Sequence, residues 1–306
     1  MNSFVYIVPA IFLVAIIFLP LIRHVEHAEI NDINQDNVPG QFIRLSRGLT
    51  HYEIAGPEKG PAVIFVHGFS VPYYMWDQNI HTLARAGFRV IRYDIYGRGL
   101  SERPDTIYNR DLFIEQIAEL LSVLGINEPV SLVGNSMGGA VVAAFTASYP
   151  ERVKKVVLID PLCDKRAIGA FRIPLVGEYL TAAFLVPASP RGQLRDFFHP
   201  EDFPEWPRLF QEQMQYRGFG KALLSTMRNF FSQDPTADYE IIYQEGKPVL
   251  LIWGAEDHTL DIHGAHKLRQ ILKPDFLWLE KAGHIPQYEC PEIVNPRMID
   301  FLSEII

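Results

Sequence analysis

Cysteine is nearly absent, with Cys163 and Cys290 the only two among 306 residues. Two thiols that far apart make no disulfide framework and lack metal-site spacing, so both read as free. Basic residues are outnumbered, 28 Lys and Arg against 36 Asp and Glu, for a net charge of −8. A nucleic-acid partner needs a basic face, and that class is excluded. Internal repeats and low-complexity tracts are lacking, which removes repeat architectures.

Charge is missing altogether from Phe4 to Ile22. Nineteen such residues meet the roughly 18 that span a bilayer, and Pro9 and Pro20 are tolerated there. No Lys or Arg precedes the run and no small-x-small site follows it, which disfavours a cleaved signal. A single-pass N-terminal membrane anchor over residues 1–22 is expected; an apolar helix capping the domain's own entrance is the other reading. Arg23 alone flanks the run, so the side of the membrane is left open. Residues 23–40 are polar, with the cluster N-D-I-N-Q-D-N, and read as a solvated linker.

What is present is a chain that is 48% hydrophobic, long enough to bury one large core. Gln41–Ser46 and Leu49–Ile54 flank Arg47-Gly48 as an opening hairpin. Apolar runs at Ala62–Val66, Phe88–Tyr93, Val130–Val133, Val153–Ile159, Pro248–Trp253 and Phe276–Leu279 read as strands. Helical patterns at Tyr73–Ala86, Asn109–Leu124, Ala140–Ala147, Ile262–Leu272 and Pro291–Ile305 alternate with them. Alternation of this kind predicts a mostly parallel sheet with helices on both faces, residues 41–160 and 247–306. Residues 161–246 interrupt it. That insertion reads as irregular except for a helix near Gly220–Phe231, and its many phenylalanines either glue it to the core or line an apolar pocket.

The chain is organised around Pro129 to Ala140, P-V-S-L-V-G-N-S-M-G-G-A. A strand runs into a tight turn and a helix follows at once, with Ser136 at the apex and glycines two residues to either side. Such a turn pushes a serine hydroxyl clear of the backbone beside a helix N-terminus. A serine hydroxyl is a poor nucleophile near neutral pH and needs a base, which in turn needs an orienting group. His284 follows the last strand and Asp257 follows the strand before it, giving the order Ser136, Asp257, His284. His67, His258, His263 and His266 compete for the base, and Glu256, Asp261 and above all Asp160 for the acid. Oxyanion donors are expected from the N–H groups of Met137, after the serine, and Phe69, after His67-Gly68.

The segments H-G-F-S (67–70), D-I-Y-G-R-G-L-S (94–101), G-N-S-M-G-G (134–139), W-G-A-E-D (253–257) and G-H-I-P-Q-Y-E (283–289) together resemble the α/β-hydrolase fold family. They look most like membrane-anchored monoacylglycerol lipases and related bacterial esterases and lipases. The resemblance implies an α/β-hydrolase fold with an inserted helical lid over 161–246. It further implies Ser136 as nucleophile, His284 as base, Asp257 as acid and Phe69 and Met137 as oxyanion donors. By the same resemblance the reaction is hydrolysis of carboxylic esters, with medium-chain acyl esters or monoacylglycerols as substrates, and neither metal nor cofactor. Asn135 and G-H-x-x-Q-x-E are also similar to hydrolases that cut carbon–carbon bonds in ring-fission products. Epoxide hydrolases and haloalkane dehalogenases carry Asp where this chain has Ser136. A binding protein of the same fold is the non-enzyme alternative, and the sequence names no protein partner.

Overall fold

The computed structural model describes residues 16, 18–30, 33 and 35–304. Most of the expected anchor lies outside them, and among the described residues no helix is long and apolar enough to cross a membrane.

Eight strands form one sheet in the order β1-β2-β4-β3-β5-β6-β7-β8. They are β1 Gln41–Leu45, β2 Gly48–Ala55, β3 Ala62–Val66, β4 Arg89–Tyr93, β5 Val130–Asn135, β6 Val153–Ile159, β7 Val249–Gly254 and β8 Asp275–Leu279. β2 runs antiparallel to β1 and β4, and every other pairing is parallel. The apolar runs are continuous because both faces are covered. Ile64, Val66, Leu132 and Leu251 join the core under helices Arg110–Val123 and Met137–Ser148. Val63, Phe65, Val133 and Ile252 face the opposite core with helices Ile80–Arg85 and Pro291–Ser303. The alternation follows the two-residue period of a strand. The carboxyl ends of β3, β5, β7 and β8 thus open onto one edge.

Three expectations are corrected. The helix expected over Tyr73–Ala86 is broken into a 3₁₀ turn, Tyr73–Trp76, and a helix, Ile80–Arg85. Trp76 is stacked on Phe65 at 4.7 Å, and Asn79 donates inward to the Gln287 carbonyl and the Asn295 side chain. Side chains anchored in the interior fix the chain between the two pieces.

The insertion between β6 and β7 is mostly helical, as the resemblance implies and against the irregular reading of its residues alone: Val176–Leu180, a π turn Thr181–Leu185, Val186–Gly192, Trp206–Met214, Phe219–Asn229 and Thr236–Gln244. Pro187 and Pro207 sit in the first turns of their helices, where no amide has to donate. Read along the sequence, those prolines look like breaks.

Part of the polar segment 23–40 is docked, not a free spacer. The Glu26 carboxylate accepts from the N–H groups of Gly218 and Gly220 at 2.7 and 2.8 Å, capping the start of Phe219–Asn229. Ala28 pairs with Tyr216 in an isolated bridge, and Ile30 is buried.

Candidate active site

The turn after β5 holds Ser136 at φ 55° and ψ −122°, a backbone conformation that an L-residue adopts only when its surroundings force it. Packing does the forcing. A Cβ on Gly138 would sit on the carbonyl oxygens of Val66 and His67, and one on Gly134 would meet the Gly138 carbonyl. The elbow is locked further because the Ser136 N–H donates to Ile159 at 3.0 Å while its carbonyl accepts from Gly139 and Leu162.

Across the edge, His284 Nδ1 donates to Asp257 Oδ2 at 2.7 Å, both side chains almost fully buried. The other carboxylate oxygen accepts from the N–H groups of Thr259 and Leu260, so it faces the imidazole in one orientation. Burial works to lower the His284 pKa, but the charge and hydrogen bond of Asp257, with Asp196 adding to them, leave it raised. The structure brings Asp257, not Asp160, to the imidazole. Asp160 follows β6 at φ 40°, accepts from Gly254 N–H through Oδ1, and has no protein partner on Oδ2 among the described residues. Burial and the Asp257 charge push its carboxyl well above the usual range. His67 does not serve as a base here either. Its Nε2 accepts from the Ile95 N–H, and burial lowers it to about 4.

Ser136 and His284 line one cavity of about 140 Å³, together with Gly68, Phe69, Gln193 and Asp196. Among the described residues, none that lines it is Lys or Arg. Two larger hollows, about 540 and 650 Å³, lie elsewhere and touch neither Ser136 nor His284. Met137 opens its helix immediately after Ser136, so its N–H is among the first-turn amides that have no partner within the helix.

The phenylalanines of the insertion do not line this cavity, which corrects the apolar-pocket expectation for them. They act as glue: Phe197 stacks on Phe203 at 4.2 Å, and Trp206 packs against Phe197, Tyr288 and Tyr74. Phe231 reaches Phe69 at 4.7 Å.

Sequence reasoning missed what the insertion gives the site, Gln193 and Asp196, because nothing in R-G-Q-L-R-D marks either residue. It also missed the task of Asn135, whose side-chain amide donates to the carbonyls of Ile159 at 3.1 Å and His284 at 3.0 Å. That amide ties the serine turn to the histidine loop. Among the described residues, no three His, Cys, Asp or Glu side chains gather as a metal site would require.

A family model described as alpha/beta hydrolase fold matches residues 61–291. The AB hydrolase superfamily protein YfhM of Bacillus subtilis is 27% identical over 88% of this chain and 99% of its own length. Epoxide hydrolase 4 of Mus musculus is 26% identical over 86% of this chain and 79% of its own. Among solved structures, a thermophilic esterase from Thermogutta terrifontis superposes with a TM-score of 0.74 at 22% identity, covering 86% of this chain and 98% of that one. A 2-hydroxy-6-oxo-6-phenylhexa-2,4-dienoate hydrolase from Rhodococcus sp. strain RHA1 gives 0.71 at 24%, covering 86% and 99%. Differently named hydrolases thus lie at nearly one distance from this chain.

Proposed function

The chain belongs to the alpha/beta hydrolase fold family, and from that premise we propose that it hydrolyses short-chain carboxylic esters through an acyl-enzyme on Ser136. The observation that carries the reading is the 2.7 Å bond from His284 Nδ1 to Asp257 Oδ2 beside a strained Ser136 in the same cavity. With Nδ1 donating to the carboxylate, Nε2 is the basic nitrogen. It takes the Ser136 proton as Oγ attacks the ester carbonyl, and the N–H groups of Phe69 and Met137 receive the oxyanion. The imidazolium then gives that proton to the departing alcohol. Water attacks the acyl-enzyme with His284 again as base, and the acid leaves with Ser136 restored.

Short acyl chains, not the medium chains suggested by resemblance, fit a cavity of about 140 Å³. Pockets for drug-sized ligands run to roughly 300–1,000 Å³. The absence of Lys and Arg among the lining residues favours an ester over a dienoate, which carries a carboxylate. An alcohol at position 136 likewise supports acyl transfer. The uncharged run 4–22 supports a membrane anchor ahead of the domain, and its last two residues, Leu21 and Ile22, are 72% and 75% exposed.

The test is purified Ser136→Ala protein against p-nitrophenyl acetate, butyrate and decanoate, a monoacylglycerol and a ring-fission dienoate. The reading expects the wild type to prefer acetate and butyrate, and the variant to fold and lose turnover. Preference for the dienoate selects the carbon–carbon hydrolase. Retained ester hydrolysis in the variant overturns the mechanism.

A further inference from the structure

The insertion places one ionisable side chain in the cavity beside the nucleophile. Asp196 lies in the 3₁₀ turn Gln193–Asp196, at the end of a helix, and is fastened at three points. Its carbonyl accepts from the His284 N–H at 2.7 Å. Its Oδ1 accepts from the Thr259 hydroxyl at 2.7 Å, and Thr259 belongs to the loop that carries Asp257. Gly283 approaches so closely that a Cβ there would collide with the Asp196 carbonyl. Gln193, one turn earlier, donates to the Ser70 hydroxyl at 3.3 Å on the oxyanion side. The turn is therefore bonded to the loops of His284, Asp257 and Ser70 and cannot swing aside without breaking those bonds.

Asp196 Oδ2 takes no protein hydrogen bond among the described residues, and the residue is half-buried and lines the cavity. The position of this acid does not follow from folding alone, since Asn would satisfy Thr259 equally well.

We propose that Asp196 is a substrate-contacting specificity residue whose carboxylate excludes anionic esters from the cavity. Two like charges about 4 Å apart repel even where water screens them partly, and no lining Lys or Arg offsets the repulsion. The cavity is small enough that any acid group on a bound ester comes near Asp196. This rests on the ester reading and adds the residue that selects among esters.

The test compares wild type, Asp196→Asn and Asp196→Ser on 3,3-dimethylbutyl acetate and 4-acetoxybutanoate in a pH-stat at pH 8. The two esters share the acetyl group but differ in shape as well as charge, so the change in their ratio between wild type and variants reads the charge. Wild type is expected to prefer the neutral ester in kcat/KM by tenfold or more, on the order of what one such repulsion supplies. Both variants are expected to narrow that ratio by about tenfold, through KM for the anion. Melting temperatures check that the variants are folded. The rate at which neutral and anionic phosphonates label Ser136 gives a second reading of the same ratio. An unchanged ratio with active protein, or an equal loss on both esters, makes Asp196 a strut and overturns the proposal alone. Neither turnover nor labelling in the wild type overturns it together with the ester reading.

Discussion

Arg98 is fully buried and donates through Nε to the carbonyl oxygen of Phe69 at 2.7 Å. Its other bonds go to the Tyr96 carbonyl and the Thr226 hydroxyl, so none of the three partners is a carboxylate. Burial lowers its guanidinium to about 9, which leaves it charged at neutral pH. A charge without a countercharge is expensive to bury, and this one is oriented by the faces of Phe69, Tyr108 and Phe113. One side chain thereby fixes the loop that carries Phe69, the proposed oxyanion donor, to the core and to the insertion helix Phe219–Asn229.

Replacing it should therefore act on the transition state more than on binding. Arg98→Lys cannot span three acceptors, and the Phe69 N–H is expected to drift from the oxyanion position. Loss of one such donor costs about 10²–10³ in rate. A fall in kcat for p-nitrophenyl acetate approaching that range, with KM little changed, is the expected result. A kcat within twofold of wild type, in a protein that still melts cooperatively, would show that the loop holds itself.

The two buried aspartates at the strand ends should respond differently. Asp257→Asn removes the acceptor that fixes the His284 tautomer, and a loss on the order of 10⁴ in kcat is expected. Burial and the charge of Asp257 push the Asp160 carboxyl well above the usual carboxylate range, toward the neutral form that Asn mimics. Its Oδ1 would still accept from Gly254. Asp160→Asn is expected to keep kcat within a few-fold. Equal losses in the two variants would give Asp160 a share of the work.

The acidic limb of the kcat/KM profile reports the free base. In the proposed mechanism His284 must be neutral to take the serine proton, and its pKa is raised above 6.5 because Asp257 and Asp196 outweigh burial. Activity is therefore expected to fall as pH drops through a midpoint above 6.5. In Asp196→Asn, with one of those charges removed, the midpoint should move down. A wild-type midpoint below 6.5 would mean that burial wins.

The strands and the serine turn were legible because they obey short-range rules. A strand covered on both faces must be apolar throughout, and glycines must stand where Ser136 is forced to φ 55°. His284 and Asp257 could be named because each follows a strand whose end falls on the same edge. The insertion was opaque for the opposite reason. Two of its short helices carry proline in the first turn, and they are held by contacts such as Trp206 on Tyr288, which are remote in sequence. Asp196 was invisible because its meaning comes only from Thr259 and His284, 63 and 88 residues away.

His51 offers a stability measurement independent of catalysis. Its Nδ1 meets Asp94 Oδ2 at 2.8 Å and its Nε2 meets the Pro39 carbonyl at 2.7 Å. Both partners are acceptors, so both ring nitrogens must carry protons and the ring is an imidazolium. Burial and Arg92 oppose that charge, but Asp94 and the Pro39 carbonyl prevail and the pKa is raised above 6.5. Between 6.5 and the folded-state pKa, the native chain binds a proton that the unfolded chain has lost, so stability falls as pH rises through that window. The contribution is complete below 6.5 and gone above the folded-state pKa. Urea unfolding of wild type and His51→Gln at pH 6 and pH 9 separates this group from the rest. The wild type is expected to lose more stability than the variant over that interval; equal losses would mean the ring is neutral in the folded protein.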